Sequence, residues 1–167
     1  MKASDKFSQL PAYLAQLRTC HPDIHIQLET VTVTSDDTQV KFQRVFICPA
    51  ASESRVSFQH MRKFMAVDGI FLKAKLSLIL LLAVGIDANG KNLILAWSVL
   101  ESENKASWTW YLMNLKETIP ESIGITLISD RDKGLEAAES TVYGDTIQRL
   151  ICCYHLKGIY SSYYYIR

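Results

Sequence analysis

The chain has little of what marks the commonest sites. Its 7 glycines in 167 residues never gather into a Gly-rich loop, which excludes a phosphate-cradling or dinucleotide-binding fingerprint. No Ser, His and Asp fall in an order that suggests a nucleophilic triad, and no Cys-x2-Cys pair occurs. The four cysteines, Cys20, Cys48, Cys152 and Cys153, show no framework spacing, so no disulfide scaffold is expected. The residues after Met1 lack the apolar run of a secretory signal, and an intracellular, reduced protein is the expectation. The most apolar window, residues 76–86, is far shorter than the roughly 20 residues a membrane span requires; it reads as a core strand. An excess of one charge is missing as well. With 18 Lys plus Arg against 17 Asp plus Glu the net charge is +1, so the chain as a whole exerts no strong pull on nucleic acid.

What is present is a core. Hydrophobic residues make up 49% of the chain, enough to build one domain of this length. Residues 7–18 place Phe7, Leu10, Tyr13, Leu14 and Leu17 at spacings of three and four, with Ser8 as a cap and Pro11 in the first turn, the pattern of a short amphipathic helix. Residues 24–33 alternate in the manner of a strand, the Ser35-Asp36-Asp37-Thr38 cluster signals a turn, and residues 40–48 read as the partner strand. Residues 1–55 are thus expected to form a helix and hairpin that lead into the main fold. A core over 56–157 and a Tyr-rich tail over 158–167 follow.

Within that core, residues 64–73 and 76–86 predict two strands, and Asp87-Ala88-Asn89-Gly90-Lys91 supplies a hairpin turn into a third over 93–100. Trp108, Tyr111, Leu112 and Leu115 then fall at helical spacing, ended by Pro120. A fourth strand over 125–129, a helix over 133–140 and a fifth strand over 147–153 complete the order. Three antiparallel strands followed by helix, strand, helix, strand form an α/β mixed sheet of ribonuclease H-like arrangement. In that arrangement the first and fourth strands are parallel neighbours.

Two acids stand out in this order. Asp68 interrupts an apolar strand and reads as a buried carboxylate, which needs a cation or a donor to offset its desolvation. Asp130 ends the apolar run of the fourth strand. Their structural alternatives are a Lys or Arg partner for Asp68 and a helix cap for Asp130. Delivered together from adjacent strand ends, two carboxylates suit a divalent metal site for phosphoryl transfer. Asp132 reads as an N-terminal helix charge and Asp87 as a turn residue. Glu101, Glu103 and Asn104, at the end of the third strand, could approach the acidic site, though caps ahead of the Trp108 helix are the more economical reading. Cys152 and His155 form a Cys-x2-His pair, half of a zinc site. Trp97, Trp108 and Trp110 read as core before base-stacking residues. Arg55, Arg62, Lys63, Lys73 and Lys75 surround Asp68 in sequence, either as a solvated strand edge or as a phosphate-facing surface.

Five blocks in order carry a family resemblance. They are Val67-Asp68-Gly69-Ile70-Phe71-Leu72-Lys73, residues 80–89, residues 101–108, Ile128-Ser129-Asp130-Arg131-Asp132-Lys133-Gly134-Leu135, and Cys152-Cys153-Tyr154-His155-Leu156. Over residues 60–157 the chain resembles the core of Mutator-like element (MULE) transposases. The resemblance implies a ribonuclease H-like fold and a DDE site, in which three acids hold two Mg²⁺ or Mn²⁺ ions that cut and join DNA. It assigns Asp68 as the first acid, Asp130 as the second, and Cys152 with His155 as the family's Cys-x2-His element, with Zn²⁺ as a candidate ion there. It also implies DNA ends as partner and a nuclear location. The chain departs from the pattern at the third acid, a Glu on a helix beyond the Cys-x2-His element. Here residues 159–166 are Tyr-rich and contain no Glu, and Glu136 and Glu139 are poor substitutes because their helix directly follows Asp130. The expectation is therefore a transposase fragment truncated in the C-terminal part of the fold. It would be inactive as it stands and prone to self-association through an uncovered sheet edge. A non-catalytic, domesticated DNA-associated or transcription-regulatory protein is the alternative.

Overall fold

The structure is a computed structural model and describes residues 7–32, 40–49, 60–73, 77–119 and 125–155. The elements in chain order are α1 (Leu10–Cys20), β1 (His25–Thr32), β2 (Val40–Cys48), β3 (Phe64–Lys73), β4 (Ser77–Ile86), β5 (Asn92–Leu100), α2 (Lys105–Thr118), β6 (Thr126–Ser129), α3 (Lys133–Val142), a short 3-10 turn (Gly144–Thr146) and β7 (Gln148–Ile151). The strands form one sheet in the order β1-β2-β5-β4-β3-β6-β7. From β3 through β5 the pairing is antiparallel, while β3, β6 and β7 run parallel. The core order β5-β4-β3-β6-β7, with helices joining the parallel strands, is the ribonuclease H-like arrangement expected from the sequence. The N-terminal hairpin is part of the same sheet, because β2 pairs antiparallel with β5 from Arg44 opposite Leu100 to Ile47 opposite Trp97.

Strand periodicity decides what packs on each face. Along β4 every second residue, Ile79, Leu81, Ala83 and Gly85, is buried. This face meets α2, whose Trp108, Tyr111, Leu112 and Leu115 are buried at the i, i+3, i+4 and i+7 positions of one helical stripe. Leu135 and Ala138 of α3 join the same cluster. Each such side chain contributes about 1.5–3 kcal/mol when fully removed from water. The Tyr111 hydroxyl, buried with them, donates to the Ala96 carbonyl at 3.2 Å, which supplies the partner a phenol needs there.

The other face of β1, β2 and β5 is covered by α1. Leu14, Ile26, Val45 and Ile47 form a second cluster, joined by the half-buried Trp97 and Val99. Pro11 lies in the first turn of α1 as expected, but the N-cap position is Gln9, with no side-chain bond to the helix. Trp108 is a core residue, while Trp97 and Trp110 pack at the cluster edges.

The β4–β5 hairpin turns on Asp87, whose carboxylate accepts from the Asn89 and Lys91 amides at 2.9 and 2.7 Å. Gly90 adopts a φ of 80° there, a conformation that costs glycine nothing. The basic residues around Asp68 do not form one patch. Arg62 and Lys63 precede β3 and Lys73 ends it, which separates them by about 30 Å at the strand rise of roughly 3.3 Å per residue. Arg55, Lys75 and the Tyr-rich tail lie outside the described residues.

Candidate active site

The parallel pairing of β3 with β6 sets Phe64 opposite Thr126, Met65 opposite Leu127 and Ala66 opposite Ile128. Continued by two residues, the register brings Asp68 level with Asp130, and both positions share the parity of Ala66 and Ile128. The pairing of β6 with β7 sets Ser129 opposite Ile151, and the Cys152 amide donates to the Ser129 carbonyl at 2.8 Å. Cys152 is therefore level with Asp130 on the next strand. Asp130 and Cys152 thus follow the last residues of β6 and β7, level with Asp68 in the middle of β3.

Asp68 is exposed, not buried as its apolar context suggests. The reason is parity. Met65 and Val67 on the odd face pack into the helix-covered core, so Asp68 takes the opposite face, and the cover that α1 provides lies over β1, β2 and β5. The Asp68 carboxylate accepts from the Gly69 amide at 2.9 Å. Asp130 is half-buried and accepts from the Asp132 amide at 3.0 Å.

The helix cap that would explain Asp130 locally belongs to Asp132, whose carboxylate accepts from the Leu135 amide at 3.0 Å. Likewise Asn104 caps α2 by accepting from the Ser107 amide at 3.0 Å, and Glu101 pairs with Lys41 at 2.9 Å. Glu103 does neither. Its Oε1 accepts from the Trp108 indole at 3.2 Å, and a Cβ placed on Gly69 would lie 2.7 Å from that oxygen. The carboxylate thus rests on β3 at Gly69, on the helix-covered face that Met65 and Val67 share, while Asp68 takes the opposite face. Burial pushes the Glu103 carboxyl up, the Trp108 hydrogen bond opposes this, and the charges of Asp132, Asp130 and Asp68 add to the rise.

Behind Asp130 sits a buried charge cluster. Arg149 of β7 reaches Glu139 at 2.6 Å and Glu136 at 3.1 Å, and its guanidinium donates to the Asp130 carbonyl at 3.1 Å. Only 4% of the Glu139 side chain is exposed. Its contact with Arg149 Nε is a close ion pair without the direction of a hydrogen bond. Burial raises the Glu139 carboxyl, and Arg149 and the nearby Ser129 pull the other way. Glu136 and Glu139 are thus engaged by Arg149.

The donor chemistry of Asp68, Asp130 and Glu103 fits a hard divalent cation, since all three offer carboxylate oxygen. Among the described residues, however, no three His, Cys, Asp or Glu side chains stand together closely enough to hold an ion as they are. Cys152 is half-buried, Cys153 is exposed, and His155 stacks edge-on against Tyr154 with ring centroids 5.8 Å apart. Two soft donors at that turn fall short of the four a structural zinc requires. No described helix is long and apolar enough to cross a membrane.

The parallel pairing of β3 with β6 was legible in the strand order. The bond of Glu103 with Trp108 was not, because an acid just before a helix reads most economically as a cap. Gly69 held a signal: glycine weakens a strand interior and often marks the close approach of another group.

Over 150 residues the chain is 24% identical to the Arabidopsis thaliana protein FAR1-RELATED SEQUENCE 6, an alignment covering 88% of this chain and 20% of that protein. The chain therefore spans about one fifth of the length of this relative. Among solved structures it resembles a chain of the simian T-cell lymphotropic virus intasome in complex with the PP2A regulatory subunit B56 gamma. There the identity is 11%, the TM-score 0.38, and 60% of this chain and 36% of that one are covered. It also resembles the HTLV-2 integrase catalytic core domain, at 15% identity and a TM-score of 0.36 over 59% of this chain and 66% of that one. The MULE transposase domain matches residues 64–158, more than half of the sequence and all of the core strands, and the chain belongs to that family.

Proposed function

We propose that this chain is the ribonuclease H-like core of a transposase-derived protein that acts on DNA through a divalent cation held by Asp68 and Asp130. The observation that supports the reading is the parallel β3–β6 register, whose last pair is Ala66 with Ile128 and which, continued by two residues, sets Asp68 level with Asp130, neither of which caps a helix. A Mg²⁺ or Mn²⁺ ion bound there supplies a Lewis acid for attack on a phosphodiester and for the leaving oxygen. The chain's own part is to orient the oxygens. Asp68 is steadied by the Gly69 amide and Asp130 by the Asp132 amide, while Arg149 holds the Asp130 backbone from behind. DNA as the substrate implies a nuclear location. The proposed division into an N-terminal segment over 1–55, the core over 56–157 and a tail over 158–167 leaves both acids within the core.

A second reading, a non-catalytic DNA-associated protein with a regulatory role, is favoured by the open spacing of the acidic groups among the described residues. Calorimetric titration of Mn²⁺ separates the two. The catalytic reading expects wild type to bind and the double variant Asp68→Ala, Asp130→Ala not to bind. Binding of neither, together with salt-dependent retention of DNA, favours the second reading.

A further inference from the structure

The strand registers line up apolar residues in one row. Leu150 is opposite Ile128, Ile128 opposite Ala66, Ala66 opposite Val84 and Val84 opposite Ile94. Residues paired in this way point to the same side of a sheet. That side faces away from α2 and α3, whose core takes the strand neighbours Leu127, Met65 and Ala83. The row crosses β7, β6, β3, β4 and β5, about 19 Å at the usual spacing between strands. On this face α1 packs against β1, β2 and β5 only, and none of the row's residues belongs to either packed cluster. None is buried, and the two at its ends, Leu150 and Ile94, are 44% and 53% exposed. A continuous apolar strip of this kind is an interaction surface.

The chain carries a segment of matching length and chemistry. Residues 156–167 lie outside the described residues, and in sequence they follow directly on the turn after β7, the strand at one end of the row. Leu156, Ile159, Tyr160, Tyr163 and Tyr164 fall at the i, i+3, i+4, i+7 and i+8 positions of a helical stripe. A helix of this length is about 18 Å long. It is marginal in water by itself, so its stripe needs an apolar partner. Charge fits as well. Asp68 and Asp130 border the row, two residues on from Ala66 and Ile128, while the segment holds Lys157 and Arg167 and no acid. Two copies of the face set against each other would instead bring these acids together, which disfavours a second copy as the cover.

We propose that residues 156–167 dock as an amphipathic helix on the row from Leu150 to Ile94 of their own chain. The inference goes beyond the cation-dependent reading and requires no bound ion. The test is amide hydrogen exchange of the full chain, read by mass spectrometry, with sedimentation velocity at two concentrations. It compares wild type, the face variant Ile94→Lys, Leu150→Lys and the tail variant Ile159→Ser, Tyr160→Ser. Lysine at the two exposed ends of the row removes apolar surface and repels the cations of the segment. The tail variant leaves every described residue unchanged.

The expected result is a monomer in which the amides of residues 159–166 exchange about tenfold or more slowly than in an unstructured chain, equally at both concentrations. Both variants lose that protection, while peptides from β3 and β4 keep theirs. An unprotected segment in wild type overturns the inference, and so does protection that survives the face variant. Where the face variant loosens the core, the tail variant decides, and unchanged protection there overturns the inference. Protection that rises with concentration alongside a dimer assigns the face to a second copy and overturns it too.

Discussion

The two ends of the central sheet treat their acids differently. At the β4–β5 hairpin, Asp87 accepts from two backbone amides of its own turn, and its charge is absorbed within five residues of chain. Away from that hairpin, Asp68, Asp130 and Glu103 each take one described donor, on segments that begin more than twenty residues apart. The first arrangement is a folding device, complete once the turn forms. The second is spread over three segments, and at Glu103 burial raises the carboxyl while the charges of Asp132, Asp130 and Asp68 add to the rise.

The contrast can be broken or sharpened by substitution. The largest effect belongs to Arg149→Ala, which leaves Glu139 buried without its cation and is expected to cost about 3–5 kcal/mol in urea unfolding. A loss under about 1 kcal/mol would mean that the β7 side of the site is not held by this cluster.

Smaller losses are expected where acids or amides serve local structure. Asp87→Ala and Asn104→Ala should each cost about 1 kcal/mol by the same measurement. A neutral Asp87→Ala would remove the distinction between the two ends.

The smallest effect, and one of opposite sign, is expected for Glu103→Gln. The folded-state carboxyl titrates above its ordinary value of 4.5, so between the two values the native state holds a proton that the unfolded state has lost. Stability from this group therefore falls as pH rises through that window, and the penalty is fully present above it. Thermal unfolding should find Glu103→Gln slightly more stable than wild type at pH 7, with the difference vanishing near pH 4.

Much of this was legible beforehand because the signals are local. The Asp87–Lys91 turn, the helical stripe from Trp108 to Leu115 and the apolar alternation of β4 are each written within a dozen residues. The parallel pairing of β3 with β6 followed from element order, since a helical crossover makes the two strands parallel neighbours. The exposure of Asp68 was illegible. An apolar strand has two faces, and which one is covered depends on helices encoded elsewhere. The same holds for the N-terminal hairpin, whose pairing of β2 with β5 joins residues from Arg44 with Leu100 to Ile47 with Trp97, fifty or more positions apart.

The sequence by itself determined the elements, their order and the family, because periodicity, turn chemistry and five motif blocks are properties of contiguous residues. Only the tertiary structure decided where each carboxylate lies. The approach of Glu103 to Gly69 depends on the packing of α2 across the sheet and on the contact of α2 with α3 through Gly134. Such distances are set by the closure of the whole core, in which no single segment carries the information.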